Sequence, residues 1–189
     1  MKLLEEKILK DGKILPGNVL KVDSFLNHQI DTAILSKCAD EWYEIFKDSG
    51  VTKILTIESS GIAIATLTAE RLGIPLLFAK KISVGNPGGD FYKIKVVSYT
   101  HGHEYTVIAP KKFISENDKI LVIDDFLANG TAMKALISLS LLGGAEIVGC
   151  GAVIEKVYQN GGNDIRSMGY KVESLAKISS MSDDHIEFC

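Results

Sequence analysis

Residues 119–132 read Lys-Ile-Leu-Val-Ile-Asp-Asp-Phe-Leu-Ala-Asn-Gly-Thr-Ala, and this stretch decides the fold. Its apolar run at 120–123 is short and continuous, the pattern of a strand buried on both faces of a parallel sheet. Asp124 and Asp125 are expected to end the strand. After Phe126 and Leu127 comes a turn of small and polar residues, Ala128-Asn129-Gly130-Thr131, and then an apolar segment with helical spacing. Carboxylates at the carboxyl end of a parallel strand sit where open α/β sheets bind ligands. Exposed amides at the start of the following helix favour a phosphate. One ligand that asks for both is a phosphorylated sugar, with hydroxyls for the acids and a phosphate for the amides.

Working outward, helical spacing over residues 3–10 predicts a first helix, stopped at Gly12. Residues 19–25 predict a short extended piece, followed by the polar cluster Asn27-His28-Gln29. Asp31 is placed to cap a helix over 32–48. A buried strand is expected at 53–57, delivering Glu58-Ser59-Ser60-Gly61 into a helix over 62–72. A strand at 76–79 then ends at Lys80-Lys81. From 82 to 109 the pattern changes. The glycine-rich stretch 85–89 and two alternating segments, 92–99 and 104–109, predict a hairpin around His101-Gly102-His103. After the central strand come a helix over 132–142, a strand over 147–154 ending in Glu155-Lys156, a short helix opened by Gly161-Gly162, and an extended stretch over 170–178. Strands alternating with helices imply an α/β fold with a parallel sheet and right-handed crossovers.

At 189 residues the chain is expected to be one domain, with room for a sizeable core. Its 24 acids and 21 bases leave a net charge of -3, with no basic run to suggest nucleic acid and no acidic tail. Charges interrupt the first residues before an apolar core forms, and no apolar run reaches the roughly 18 residues of a membrane span, so a cytoplasmic location is expected. Cys38, Cys150 and Cys189 match neither a disulfide framework nor a zinc spacing, which suits a reducing compartment. Neither a dinucleotide fingerprint nor a Gly-x-x-x-x-Gly-Lys loop is present, which argues against a kinase or ATPase. His101 and His103 lack an evident third ligand and are read as a hairpin tip rather than a metal site.

The 119–132 stretch resembles the phosphoribosyl diphosphate (PRPP) signature of the type I phosphoribosyltransferases. It departs from the general pattern at Asn129 and Ala132, where hydroxyl residues are usual, so Thr131 and the backbone must supply more of the phosphate contacts. The form Asp-Asp-Phe-Leu-Ala-Asn-Gly is similar to one branch, the bacterial xanthine phosphoribosyltransferases. Residues 20–31 (Leu-Lys-Val-Asp-Ser-Phe-Leu-Asn-His-Gln-Ile-Asp) and 58–63 (Glu-Ser-Ser-Gly-Ile-Ala) fit that branch, and the likeness spans nearly the whole chain.

The resemblance implies a type I phosphoribosyltransferase fold: a mostly parallel sheet flanked by helices, a mobile hairpin lid at 82–109, and a hood from residues 1–30 and 155–189. It implies that Asp124 and Asp125 hold the ribose hydroxyls, and that Ala128, Asn129, Gly130, Thr131 and Ala132 form the 5-phosphate loop. Glu58, Ser59, Ser60 and Gly61 would take pyrophosphate, with Lys80 and Lys81 neutralising its charge as it leaves. Leu20, Asn27 and Lys156 are implied as the base site. Asn offers a donor and an acceptor side by side, and Lys offers donors and charge, both suited to an oxidised purine edge. Magnesium would be held mainly by PRPP rather than by side chains. A homodimer and xanthine as the base are implied as well. Two readings stay open beside this one: transfer to guanine, hypoxanthine or adenine, and a non-catalytic PRPP-binding regulator. Lys156 argues against adenine, whose amino group would face a donor. The opening residues are too few and not basic enough for a winged helix.

Overall fold

The computed structural model describes residues 1–83, 88–97, 104–182 and 185–189. Helix α1 (Lys2–Asp11) buries Leu4 and Ile8, four residues apart on one face. Strands β1 (Lys13–Leu15) and β2 (Val19–Lys21) form a small hairpin of their own. The pattern of residues 19–25 predicts extended chain as far as residue 25. Instead a five-residue π-type turn, Asp23–Asn27, follows β2 and buries Phe25 and Leu26. The spacing of Val22, Phe25 and Leu26 is helical rather than alternating, which explains the difference.

Helix α2 (Thr32–Phe46) starts where Asp31 accepts hydrogen bonds from the backbone N–H groups of Ala33 and Ile34, at 3.2 and 3.3 Å. Then come β3 (Lys53–Ile57), α3 (Ser60–Leu72), β4 (Leu76–Ile82), and the antiparallel hairpin β5 (Phe91–Val97) and β6 (Glu104–Pro110). The chain continues as β7 (Lys119–Leu127), α4 (Thr131–Leu142), β8 (Glu146–Lys156), α5 (Gly161–Ser167), β9 (Val172–Ser182) and β10 (His185–Phe188). The expected hairpin tip, 101–103, and part of the glycine-rich stretch lie outside the described residues.

The eight strands of the main sheet lie in the order β10-β9-β8-β7-β3-β4-β6-β5. From β9 to β4 every pairing is parallel, and the β5–β6 hairpin and β10 add antiparallel edges. Thus β9 is a strand of the main sheet, although its residues fall within the expected hood.

Apolar residues cover both faces. On one, α2 and α3 bring Trp42, Phe46, Ile64 and Ala65 against Ile54, Leu121 and Ile123. On the other, α4 brings Met133, Leu136 and Ile137 against Leu55, Val122 and Cys150. Each fully buried Leu or Ile contributes roughly 1.5–3 kcal/mol relative to exposure. Close approach of α2 depends on glycine: a Cβ on Gly151 would stand 3.0 Å from the Trp42 ring. Burial pushes the Cys38 and Cys150 thiols up to about 12, so both are held as neutral core residues.

Candidate active site

From β3 the chain steps outward to β4, and from β7 it steps the other way to β8 and β9. The boundary between β3 and β7 is therefore where strand order reverses, and the carboxyl ends of these two strands frame a crevice suited to a ligand. Helix α3 covers one face there and α4 the other, so each strand feeds a helix on its own side.

Asp124 and Asp125 lie at this boundary. They do not follow the strand, as expected, but sit inside it. Pairing with β8 continues through Asp124–Ala152 to Leu127–Glu155 and carries β7 four residues past Ile123. The side chains are 4% and 7% exposed, and the Asp125 N–H donates to Asp124 Oδ1 at 3.0 Å. Burial, and next the Asp125 carboxylate beside it, push Asp124 well above the usual carboxylate range, while Lys81 pulls the other way. An acid pair held like this is poised to accept hydrogen bonds from neutral donors such as sugar hydroxyls.

Two backbone loops flank the pair. Glu58 and Ser59, joined by a cis peptide, leave β3, and Ser60 and Gly61 open α3. A Cβ on Gly61 would lie 2.2 Å from Thr56 Oγ1 and 3.2 Å from Asp124 Oδ1, so this loop touches the acid pair. Ala128, Asn129 and Gly130 leave β7, and Thr131 and Ala132 form the first residues of α4. Gly130 has φ +73, in the left-handed region, and a Cβ there would meet the backbone of Gly161 at 3.1 Å. Both loops thus present helix-opening amides beside two buried acids.

Lys80 and Lys81 are separated by the strand's alternation. Since β4 runs to Ile82, the two side chains point to opposite faces. Lys81 lies 5.9 Å from the centre of the half-buried Tyr105 ring, and its charge acts on Asp124. Lys80 lies over Phe78 at 5.9 Å and lines an apolar groove of about 680 Å³ with Ile82, Ile108 and Phe113. Only Lys81 of the expected pair joins the acids.

Lys156 ends β8, is 9% exposed, and donates to the Asn18 carbonyl at 2.8 Å. That bond fastens the β1–β2 hairpin, which carries buried Leu20, beside the carboxyl end of β8. Asn27 is half-buried at the end of the turn that follows. Burial lowers the Lys156 ammonium below its ordinary range, and among the described residues its charge meets no carboxylate.

A support behind the second loop has no counterpart among the expected site residues. Glu155 is 1% exposed and accepts a two-pronged bond from Arg166 at 2.7 and 2.8 Å, with Ser174 Oγ donating at 2.5 Å. Thr56 is unexpected too: its hydroxyl is buried under Gly61 without a hydrogen-bond partner among the described residues. The one available signal was Gly161-Gly162: two poor helix formers at a helix start call for a close contact.

Among the described residues no group of three or more His, Cys, Asp or Glu could hold a metal ion. Two carboxylates beside amide loops fit magnesium, a hard cation that keeps several waters and takes other ligands from substrate phosphates. No helix among the described residues is long and apolar enough to cross a membrane.

Residues 24–182 match the family described as the phosphoribosyl transferase domain. Over 188 residues the chain is 48% identical to the xanthine phosphoribosyltransferase of Finegoldia magna, covering 100% of this chain and 99% of that protein. It is 48% identical over 182 residues to that of Lachnoclostridium phytofermentans, covering 96% and 94%. Among solved structures, the adenine phosphoribosyl transferase of Trypanosoma brucei, with AMP, pyrophosphate and ribose-5-phosphate, superposes with a TM-score of 0.78. It is 20% identical and covers 96% of this chain and 82% of that one, a likeness of fold alone.

Proposed function

The chain belongs to the phosphoribosyl transferase family and has its type I fold, and from that premise we propose that it is a xanthine phosphoribosyltransferase of purine salvage. It transfers the 5-phosphoribosyl group of PRPP to xanthine, giving xanthosine 5-monophosphate and pyrophosphate. The observation that carries this reading is the buried Asp124–Asp125 pair between two glycine-containing loops. The names of the relatives at 48% identity support xanthine as the base.

In the reaction the bond from the anomeric carbon to the diphosphate oxygen breaks and a bond to a purine ring nitrogen forms. The proton that nitrogen carried passes to the departing pyrophosphate or to water. Positive charge builds on the sugar as the leaving group departs, as in glycoside cleavage. Asp124 and Asp125 accept from the ribose hydroxyls and fix the ring. Residues 128–132 hold the 5-phosphate through backbone amides and Thr131. Residues 58–61 hold the pyrophosphate, with Lys81, whose charge acts on Asp124, beside it. Asp124 and Asp125 would lie beside a magnesium ion held mainly by PRPP, which would add positive charge to neutralise the leaving group.

Leu20, Asn27 and Lys156 form the base site, beneath a hood made by the β1–β2 hairpin. The Lys156 ammonium, buried without a carboxylate, suits ring carbonyls or a xanthine that has lost a proton. The β5–β6 hairpin is proposed as the lid that excludes water from the cationic sugar. The groove containing the exposed Phe78 and Phe113 supports a homodimer.

Assaying xanthine, guanine, hypoxanthine and adenine with PRPP and magnesium tests the proposal. The expected order is xanthine, then guanine and hypoxanthine, with adenine last. Comparable turnover of all four would overturn xanthine specificity, and turnover of none would leave a PRPP-binding regulator as the better reading.

A further inference from the structure

The 128–132 loop rests on a neighbouring element, α5. Gly161, the first residue of α5, donates its N–H to the Ala128 carbonyl at 3.0 Å. A Cβ on Gly161 would stand 2.2 Å from that oxygen and 2.4 Å from the Gly130 nitrogen. Loop and helix are thus in backbone contact, closer than any other residue type permits. The next residue is equally confined, because a Cβ on Gly162 would lie 1.9 Å from Glu155 Oε1 and 2.7 Å from Arg166 Nη1. The start of α5 is therefore wedged between the loop and the Glu155–Arg166 pair.

That pair is fixed at both ends. Glu155 belongs to β8 and faces Leu127 in the ladder, the last strand residue before the loop. Arg166 lies within α5, and its two bonds to Glu155 clamp the helix to the strand. On the outer side, Lys134 of α4 pairs with Asp164 of α5 at 2.6 Å. Without these ties a seven-residue helix opened by two glycines has little intrinsic stability.

We infer that Glu155 and Arg166 are a positioning pair that holds residues 128–132 in their phosphate-accepting shape through Gly161 and Gly162. The inference rests on the reading of 128–132 as the 5-phosphate loop. Neither side chain need touch the ligand. Their effect falls on the 5-phosphate rather than on pyrophosphate, because the 58–61 loop hangs from β3 and α3, to which the pair makes no hydrogen bond among the described residues.

The test is the double variant Glu155→Gln/Arg166→Met, which removes both charges together so that neither is left buried alone. Calorimetry with ribose 5-phosphate and with inorganic pyrophosphate separates the two loops. The expected result is about tenfold weaker ribose 5-phosphate binding with pyrophosphate binding within about twofold, and a higher KM for PRPP at similar kcat. Equal weakening of both ligands, or no change in either, would overturn the inference. If the double variant does not fold, Arg166→Lys keeps the charge but loses the fork, and should weaken ribose 5-phosphate alone by a smaller factor. Unchanged binding by that variant would overturn it as well. Thr131→Val guards the premise: if it does not weaken ribose 5-phosphate, the phosphate-loop reading fails. If it does and the pair variants do not, only the positioning role fails.

Discussion

Asp124, Asp125, Lys81 and the loops at 58–61 and 128–132 hang from three neighbouring strands, β7, β3 and β4, of one parallel sheet. Leu20, Asn27 and Lys156 come from a two-stranded hairpin, a single turn and the end of β8. The first group is held by continuous ladders and two apolar layers, so its geometry is as rigid as the core. In the second, the hairpin shares no ladder with the main sheet among the described residues; its apolar side chains pack into the α2–α3 layer, and Lys156 donates to Asn18, 138 residues away in sequence. A sugar and its phosphates are the same in every reaction of this class and suit a rigid cradle. The base is what distinguishes the members, and in the proposed reading it falls to the loosely tied side.

The rigid half should show the largest loss on mutation. Asp124→Asn/Asp125→Asn keeps the shape and removes two anionic acceptors, so kcat/KM should fall about 10³-fold or more. The fold should survive, because burial already makes the charged form of Asp124 costly. Near-normal turnover would show that the acids are not the ribose clamp. Stability against pH gives a second reading of the same site. Asp124 titrates higher folded than unfolded, so its contribution to stability is present below the unfolded carboxylate range. It is lost as pH rises through the raised folded value. Melting temperatures should therefore shift in favour of Asp124→Asn over the native chain as pH increases. A difference that stays constant with pH would break the assignment of a raised Asp124.

These two halves were also unequally legible in sequence. Residues 53–57 and 120–123 are continuous apolar runs, and a strand buried on both faces leaves little else they can be. The loops after them were found from their small residues. Strand ends were not: Asp124 and Lys80 look like boundaries, yet pairing to a neighbour carries both strands onward. That error hid the separation of Lys80 from Lys81. The hood was illegible for a different reason, since three-residue strands have no measurable period and Lys156 reaches Asn18 only in the folded chain. The Glu155–Arg166 clamp has no local pattern either, beyond the paired glycines it confines.

In the loosely tied half, Lys156→Ala should give the next largest effect, and a selective one. A site built to bond a ring carbonyl leaves buried polar atoms unpaired when the partner is removed, so xanthine should lose about 10²-fold in kcat/KM. Guanine and hypoxanthine should lose less and adenine least, narrowing the order among bases. Ribose 5-phosphate binding should not change. The melting temperature should change little, because relief of the desolvation cost of a buried ammonium offsets the lost bond to Asn18. Equal loss for all four bases would place Lys156 with the phosphates or the fold, and the division between the halves would not stand.

Asn27→Ala should have the smallest effect, and it sharpens the division within the base site itself. The side chain is half-buried at the end of the 23–27 turn, so a bond it makes to the base competes with water. A net hydrogen bond of this kind is worth roughly 1 kcal/mol, or about fivefold in kcat/KM. Its amide can donate to the 2-oxo group of xanthine or, turned over, accept from the 2-amino group of guanine. Hypoxanthine has neither. The variant should therefore lose about fivefold on xanthine and guanine alike while hypoxanthine stays level. The ratio of xanthine to hypoxanthine would shrink, and that of xanthine to guanine would not. Measured kcat/KM values for the three bases decide it: a loss on hypoxanthine equal to the other two would mean that Asn27 shapes the turn rather than contacts the 2-position.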